Sequence, residues 1–474
     1  MKIRNFLSLL ISLSIVINIT AQPANKFTGI WEGKLNLGIE LRIVFTIKEN
    51  GKGGLVSTAD SPDQSAYGLK CDTTSLNAGA ITIEMNDLKA SFTGKLLNDS
   101  TIDGTFTQRA VFPLTFKKVD KPSERKRPQT PQPPFSYKIE DVGYDNADKS
   151  LHFGATITIP EGNGPFPAAV LITGSGAQNR DEEIMGHKLF AVIADYLTLQ
   201  GFIILRVDDR GVGKSTGKFN EANSADFAKD VNTSVDYLLS RPEVDGKKAG
   251  LIGHSEGGMI APMVAVNRKD INFIVLLAGP GVKIVDLMAE QNAAILRSAG
   301  IGQQALDAYT PLYKEMEEQI IKAADSTTAL AAIKKTLNIW IAKTDSSLVK
   351  ELDLKESKSR DVITTRLVQT MYSPWFKYFL SFDPAPFLKK LKCKVLAING
   401  DKDIQVISRQ NLPGIKASLK KSKVKSYMIK EMPGLNHLFQ TCNKCTLGEY
   451  GELEETFSPE ALQVISEWLN KNVK

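Results

Sequence analysis

Gly253-His254-Ser255-Glu256-Gly257 has the residue types and spacing of an activated serine nucleophile. A serine hydroxyl attacks a carbonyl only when the backbone presents it and a neighbouring base takes its proton. The preceding residues, Lys248-Ala249-Gly250-Leu251-Ile252, read as a short buried strand, and Gly258 through Ala265 reads as an apolar helix. On such a strand-to-helix turn the serine is held in a strained conformation with its oxygen exposed above the sheet. The flanking glycines permit the sharp turn and the close approach of helix to strand. This stretch predicts acyl transfer through a covalent serine intermediate.

A base is then required, and only four histidines exist: His152, His187, His254 and His437. His254 adjoins Ser255, so its side chain is expected to diverge from the nucleophile's. His152 lies in a strand-like segment, and His187 begins a helical run where a solvated or capping role is expected. His437 lies in the loop Pro433-Gly434-Leu435-Asn436-His437-Leu438-Phe439, after the strand-like Lys425 to Ile429, and is the candidate base. The orienting carboxylate is sought in Gly400-Asp401-Lys402-Asp403-Ile404-Gln405-Val406, behind the buried strand Lys394 to Asn399, where two aspartates compete.

The developing oxyanion needs backbone donors. The amide after the nucleophile, Glu256, supplies one. Ser175 or Gly176 supplies the other, from the Gly-rich loop Gly174-Ser175-Gly176-Ala177-Gln178-Asn179-Arg180-Asp181 that follows the apolar strand Ala168 to Thr173. Gly213-Lys214-Ser215 has the end of a phosphate loop, but the glycine required five residues earlier is Asp208, so that reading fails.

With these motifs in place, the chain from about residue 136 onward resembles the α/β-hydrolase superfamily, in particular its bacterial serine carboxylesterases. The carrying motifs are G-S-G-x-x-x-R-D, G-H-S-E-G and L-N-H-L-F, in the chain order Ser, Asp, His of that superfamily. The acid loop is similar to its G-x-x-D-x-x-V pattern, which selects Asp403 over Asp401. Thr173 stands where many relatives have histidine, and Asp208 to Ser215 resembles a scaffolding turn after the fourth strand. The resemblance implies ester hydrolysis by Ser255, Asp403 and His437, with no metal or organic cofactor. The expected substrates are short acyl or aryl esters, free or glycan-linked. Peptide, amide and thioester hydrolysis use the same residues, and a glycan- or lipid-binding module with a relic hydrolase domain is the rival of a different class.

The elements that must position these groups follow from the wider pattern. At 474 residues the chain is long enough for two or three domains. Lys2 and Arg4 precede an apolar run from Phe6 to Ile17 and small residues near Ala21, the pattern of a secretory signal covering residues 1–21. Export to the periplasm or medium is therefore expected. No internal stretch approaches membrane-spanning length. The net charge of +6 is modest, and no basic stripe with interleaved aromatics points to nucleic acid.

From 27 to 118, short strands recur at about ten-residue spacing with Gly, Asn or Asp turns, which predicts a small antiparallel barrel or sandwich. Trp31 is expected in its core. Residues 119–135, rich in Pro, Lys and Arg, read as an extended linker. Beyond it, strands alternate with helices, which predicts a doubly wound, mainly parallel sheet. The strand at 273–277 is separated from the next, near Val395, by far more than a crossover needs, so about 284–380 reads as a helical cap ending in an aromatic run, Tyr372 to Leu380. Cys442-Asn443-Lys444-Cys445 lacks the further ligands of a zinc site and is suited to a local disulfide. Cys393 reads as a small core residue. Nothing in the sequence fixes the oligomeric state.

Overall fold

The computed structural model describes residues 24–36, 40–64, 66–108 and 110–474, so the signal segment lies outside the described residues. The chain divides into two compact units, 1–124 and 125–474.

Among the described residues of the first unit are nine strands: β1 (Gly29–Asn36), β2 (Glu40–Glu49), β3 (Leu55–Ser61), β4 (Ala66–Lys70), β5 (Thr73–Asn77), β6 (Ala80–Met85), β7 (Ala90–Asn98), β8 (Thr101–Gln108) and β9 (Ala110–Val119). They form one sheet in the order β4-β3-β2-β1-β9-β8-β7-β6-β5, and every pairing is antiparallel where register is defined. The sheet coils on itself, so that Ser57 of β3 and Thr74 of β5 share a hydrogen bond between their hydroxyls. β3, β4 and β5 do not stand out in the sequence. β3 mixes Ser, Thr and Asp with its few apolar residues in no alternating order, and β4 and β5 have no buried residue. The concave face buries Phe27, Trp31, Phe45, Phe92 and Phe116. The Trp31 indole is fully buried and donates to the Phe27 carbonyl at 2.7 Å, which satisfies its N–H inside the core.

The second unit is built on an eight-stranded sheet of β10 (Lys138–Asp145), β11 (His152–Ile159), β12 (Phe166–Ile172), β15 (Ile203–Val207), β16 (Val244–His254), β17 (Ile271–Leu277), β18 (Lys394–Gly400) and β19 (Tyr427–Met432). Its order is β10-β11-β15-β12-β16-β17-β18-β19. Only β11 runs against its neighbours; from β15 to β19 every pairing is parallel. β13 (Glu183–Ile184) and β14 (His187–Lys188) form a small hairpin apart from it. The central strands carry apolar runs, Ile203–Leu205, Phe273–Leu277 and Val395–Ile398, as a sheet covered on both faces requires.

The layers over the sheet are α1 (Leu189–Leu199), α2 (Ser224–Ser240), α3 (Glu256–Ala265), α10 (Ala385–Leu388), α11 (Ser408–Leu419) and α12 (Pro459–Asn472). α1 packs with α12, whereas α2 packs with α3. Between β17 and β18 the chain forms α4 (Ile284–Ser298), α5 (Gln303–Lys322), α6 (Ser326–Lys343), α7 (Ser346–Glu351), α8 (Ser357–Met371) and α9 (Pro374–Ser381). Leu312, Met316 and Ile320, spaced by four residues along α5, are buried on one face of it.

The stretch read as a linker is divided between the units. Residues from Arg125 onward belong to the second one. There the Arg127 guanidinium donates to the carbonyls of Leu453, Met185 and Gly451, and Gln129 pairs with Thr456 and Phe457. Polar side chains bonded to backbone, rather than apolar groups, hold this segment down.

Candidate active site

The chain reverses its winding direction at β12, whose two neighbours β15 and β16 both follow it in sequence. In open parallel sheets ligands collect at the carboxyl ends of strands beside such a point. Ser255 lies there, between β16 and α3, with φ 52° and ψ −116°. That conformation costs a non-glycine residue roughly 1–3 kcal/mol, and the surroundings enforce it. The Ser255 amide donates to the Leu277 carbonyl at 2.8 Å, and its own carbonyl accepts from Gly258 at 2.9 Å. A Cβ on Gly253 would lie 2.1 Å from the Gly257 carbonyl oxygen, and one on Gly257 would lie 2.1 Å from that of Ile172. A side chain at Gly253 would force α3 away from β16, and one at Gly257 would force the elbow away from the end of β12. Ser255 thus sits at the N-terminal end of α3, where amides lack intrahelical acceptors and the helix dipole is positive.

The structure brings His437 and Asp403 together. The buried imidazole donates from Nδ1 to Asp403 Oδ2 at 2.8 Å, leaving Nε2 as the basic nitrogen. The other oxygen of Asp403 accepts the amides of Gln405 at 2.7 Å and Val406 at 2.9 Å. Asp401 has a different task. It is exposed, accepts the Gly434 amide at 2.6 Å and lies near the Lys402 ammonium, so it pins the start of the histidine loop. Asn436 stiffens that loop by accepting the amides of Leu438 and Gln440, both at 3.0 Å.

Behind His437 lies a second buried pair for which the sequence gives no signature. His254 Nδ1 meets Glu182 Oε1 at 2.9 Å, and its Nε2 meets the His437 carbonyl at 3.0 Å. A carbonyl and a carboxylate only accept, so both ring nitrogens carry protons and the ring is an imidazolium. Burial opposes that charge, but the Glu182 carboxylate outweighs it and raises the pKa. Glu182 Oε1 also accepts the Gly174 amide at 2.6 Å. One carboxylate therefore joins the loop after β12, the elbow histidine and, through it, the backbone of the histidine loop.

The loop after β12 is held from below by the turn after β15. Asp209 accepts the Thr173 hydroxyl at 2.7 Å and the Gln178 amide at 2.9 Å. Its burial pushes its pKa up to about 8 against those bonds. Asp208 accepts the Arg180 amide and guanidinium, and the Lys214 amide. Gly174 being engaged, the next residues along the loop are the two candidate donors: Ser175, which is exposed, and Gly176, at φ +102°. A cavity of about 50 Å³ lies under the junction of this loop with the elbow, lined in part by Thr173, Gly174, Asp209, Glu256 and Ile260.

The other histidines lie elsewhere. His152 pairs with Asp145 in an exposed position on β11. His187 is not solvated. It sits in the β13–β14 hairpin, fully buried, accepting from Thr456 and donating to the Tyr450 carbonyl. Burial pushes its pKa down to about 3, so it is neutral. Cys442 and Cys445 form a disulfide after the histidine loop. Glu449, the only third metal-ligand type near them among the described residues, instead accepts the amides of Asn443, Lys444 and Cys445.

Residues 186–351, about a third of the chain, match the family model described as serine aminopeptidase, S33. The matched segment includes Ser255 and Glu256 but neither Asp403 nor His437. The chain is 27% identical over 282 residues to esterase EstD of Thermotoga maritima, an alignment spanning 60% of this chain and 57% of that protein. It is 29% identical over 133 residues to acyl-coenzyme A thioesterase 3 of Mus musculus, covering 26% of each. Among solved structures, an α/β hydrolase from Penicillium, GrgF, superimposes with a TM-score of 0.42 at 15% identity, covering 71% of this chain and 99% of that one.

Proposed function

We propose that this chain, which belongs to the α/β-hydrolase superfamily, is an exported serine hydrolase that cleaves carboxylic esters. The observation that carries the reading is the His437–Asp403 bond at 2.8 Å on one side of the site, with Ser255 held on its elbow. In the proposed cycle His437 Nε2 takes the Ser255 proton as the oxygen attacks the ester carbonyl. The oxyanion is held by the Glu256 amide and by that of Ser175 or Gly176. His437 returns the proton to the departing alcohol, and water then repeats the sequence on the acyl-serine. The likeness to EstD supports an ester rather than an amide as substrate, and the Cys442–Cys445 disulfide accords with an oxidising compartment.

A peptidase reading is favoured by the family model alone. An aminopeptidase needs a carboxylate free to bind the substrate ammonium. The carboxylate nearest the nucleophile in sequence, Glu256, is already bonded by Ser224 and Trp375. Purified protein assayed on aryl esters of increasing acyl length and on aminoacyl anilides tests the choice. Short acyl esters are expected to be turned over fastest. Cleavage of anilides without ester turnover, or an optimum at long acyl chains, contradicts the proposal.

A further inference from the structure

Basic residues gather at the end of the sheet that carries no catalytic group. The chain enters β18 through Lys389-Lys390-Leu391-Lys392-Cys393-Lys394 and β19 through Lys420-Lys421-Ser422-Lys423-Val424-Lys425. In both runs exposed lysines alternate with residues turned further inward, Leu391 and Cys393 in one, Ser422 and Val424 in the other. Lys247-Lys248 near the start of β16 and Arg268-Lys269 before β17 add four more basic side chains.

A groove of about 740 Å³ crosses these amino-terminal strand ends, and Lys247, Lys269, Lys390, Lys392 and Lys425 line it. All five are exposed, and none has an ion-pair or hydrogen-bond partner for its ammonium among the described residues. The groove's other charges are already engaged. Arg268 donates to Asp270 at 2.6 Å and to Asp236 at 2.7 Å. Lys394 donates to Asn272 Oδ1 at 3.2 Å and to the Asn472 carbonyl at 2.5 Å. Five uncompensated positive charges therefore share one concave surface. Their mutual repulsion does nothing for the fold, and their summed field attracts anions.

The residue types narrow the partner. No aromatic side chain lines the groove, so a nucleic-acid base finds nothing to stack on. The free cations are lysines, hydrated point charges on flexible stems, rather than planar forks that grip one phosphate in a fixed geometry. Between them Val266 and Cys393 make part of the lining apolar. Mobile ammonium groups around a partly apolar floor suit a fluid layer of anionic headgroups.

We propose that this groove docks the protein on a bilayer rich in anionic phospholipid. The strand ends that lead to Ser255, Asp403 and His437 lie at the opposite edge of the sheet. β18, seven residues long, places about 20 Å between groove and catalytic end at the usual rise per residue. Docking therefore leaves the catalytic centre facing water.

The test is co-sedimentation of the full chain with vesicles of phosphatidylcholine alone and of equal parts phosphatidylcholine and phosphatidylglycerol. Binding is expected only to the anionic vesicles, and it should weaken steeply as salt screens the lysines. Each lysine beside such a surface contributes about fivefold to partitioning, so Lys390→Gln, Lys392→Gln and Lys425→Gln together should weaken binding about a hundredfold. Lys335→Gln, Lys343→Gln and Lys350→Gln, exposed on the cap helices α6 and α7, remove the same charge and should cost little. Inorganic phosphate should displace the protein no better than chloride at equal ionic strength, because no single phosphate is gripped. Turnover of a soluble substrate should be unchanged on the vesicles. Equal binding to neutral vesicles, equal losses in the two triple variants, or preferential displacement by phosphate overturns the proposal. So does capture of a duplex oligonucleotide in place of the vesicles, and slower turnover on binding overturns the orientation.

Discussion

Replacing Asp403 by Asn should nearly abolish turnover while leaving the fold intact, and the reason lies in which oxygen does what. Asp403 Oδ1 accepts two backbone amides, from Gln405 and Val406, so an asparagine must place its oxygen there. Its NH2 group then faces His437 Nδ1, which donates to Asp403 Oδ2 at 2.8 Å in the native protein. Two donors cannot share that contact. The imidazole escapes by moving its proton to Nε2, the nitrogen that must act as base. The expected loss in kcat is about 10⁴-fold, the cost of the wrong tautomer in a serine triad. Asp401→Asn is the control, because an exposed amide oxygen can still accept from Gly434, and its loss should stay within about tenfold. The assay is kcat on an aryl ester at neutral pH, with circular dichroism and thermal unfolding to show that both variants fold. Comparable losses for the two variants, or a greater loss for Asp401→Asn, would refute the assignment.

Glu182→Gln removes the counter-ion of the buried His254 imidazolium and should destabilise the protein by about 3 kcal/mol. It should also lower kcat more than it changes KM, a split that steady-state kinetics would reveal. Acid should destabilise the fold through His187, whose folded pKa of about 3 lies below its ordinary value of 6.5. Below 6.5 the unfolded chain binds a proton that the folded one refuses, so stability is lost as pH falls from 6.5 toward 3. By about pH 4.5 the loss is about 2 to 3 kcal/mol. Thermal unfolding from pH 7 to 4.5 should show a smaller decline in His187→Gln than in the native protein; equal declines would exclude the histidine as the cause.

The elbow is legible in the sequence because its determinants are adjacent: two glycines, one serine, a strand before and a helix after. The parallel sheet is legible for a similar reason, since strands buried on both faces carry continuous apolar runs such as Phe273–Leu277. The cap shows itself as an overlong crossover. What escapes the sequence is non-local or polar. The bonds joining Glu182, His254 and the His437 carbonyl link three loops distant along the chain, and no spacing announces them. Glu256 reads as the source of a backbone amide, while its side chain is committed to Ser224 and Trp375. His187 reads as a surface residue because helix follows it, yet the short hairpin carries it into the core. Among its described residues the first unit is a single coiled sheet of nine strands, and its polar strands β3 to β5 offer little apolar alternation to count.

The central claim is that Ser255 is a nucleophile activated by its surroundings. The most direct measurement is the reaction of the purified protein with an organophosphonate ester that traps activated serines, followed by intact mass and peptide mapping. One adduct per chain, on Ser255, is expected, and it should be absent from Ser255→Ala and much slower to form in His437→Ala. An adduct on another residue, no adduct on correctly folded native protein, or undiminished ester turnover by Ser255→Ala would contradict the account.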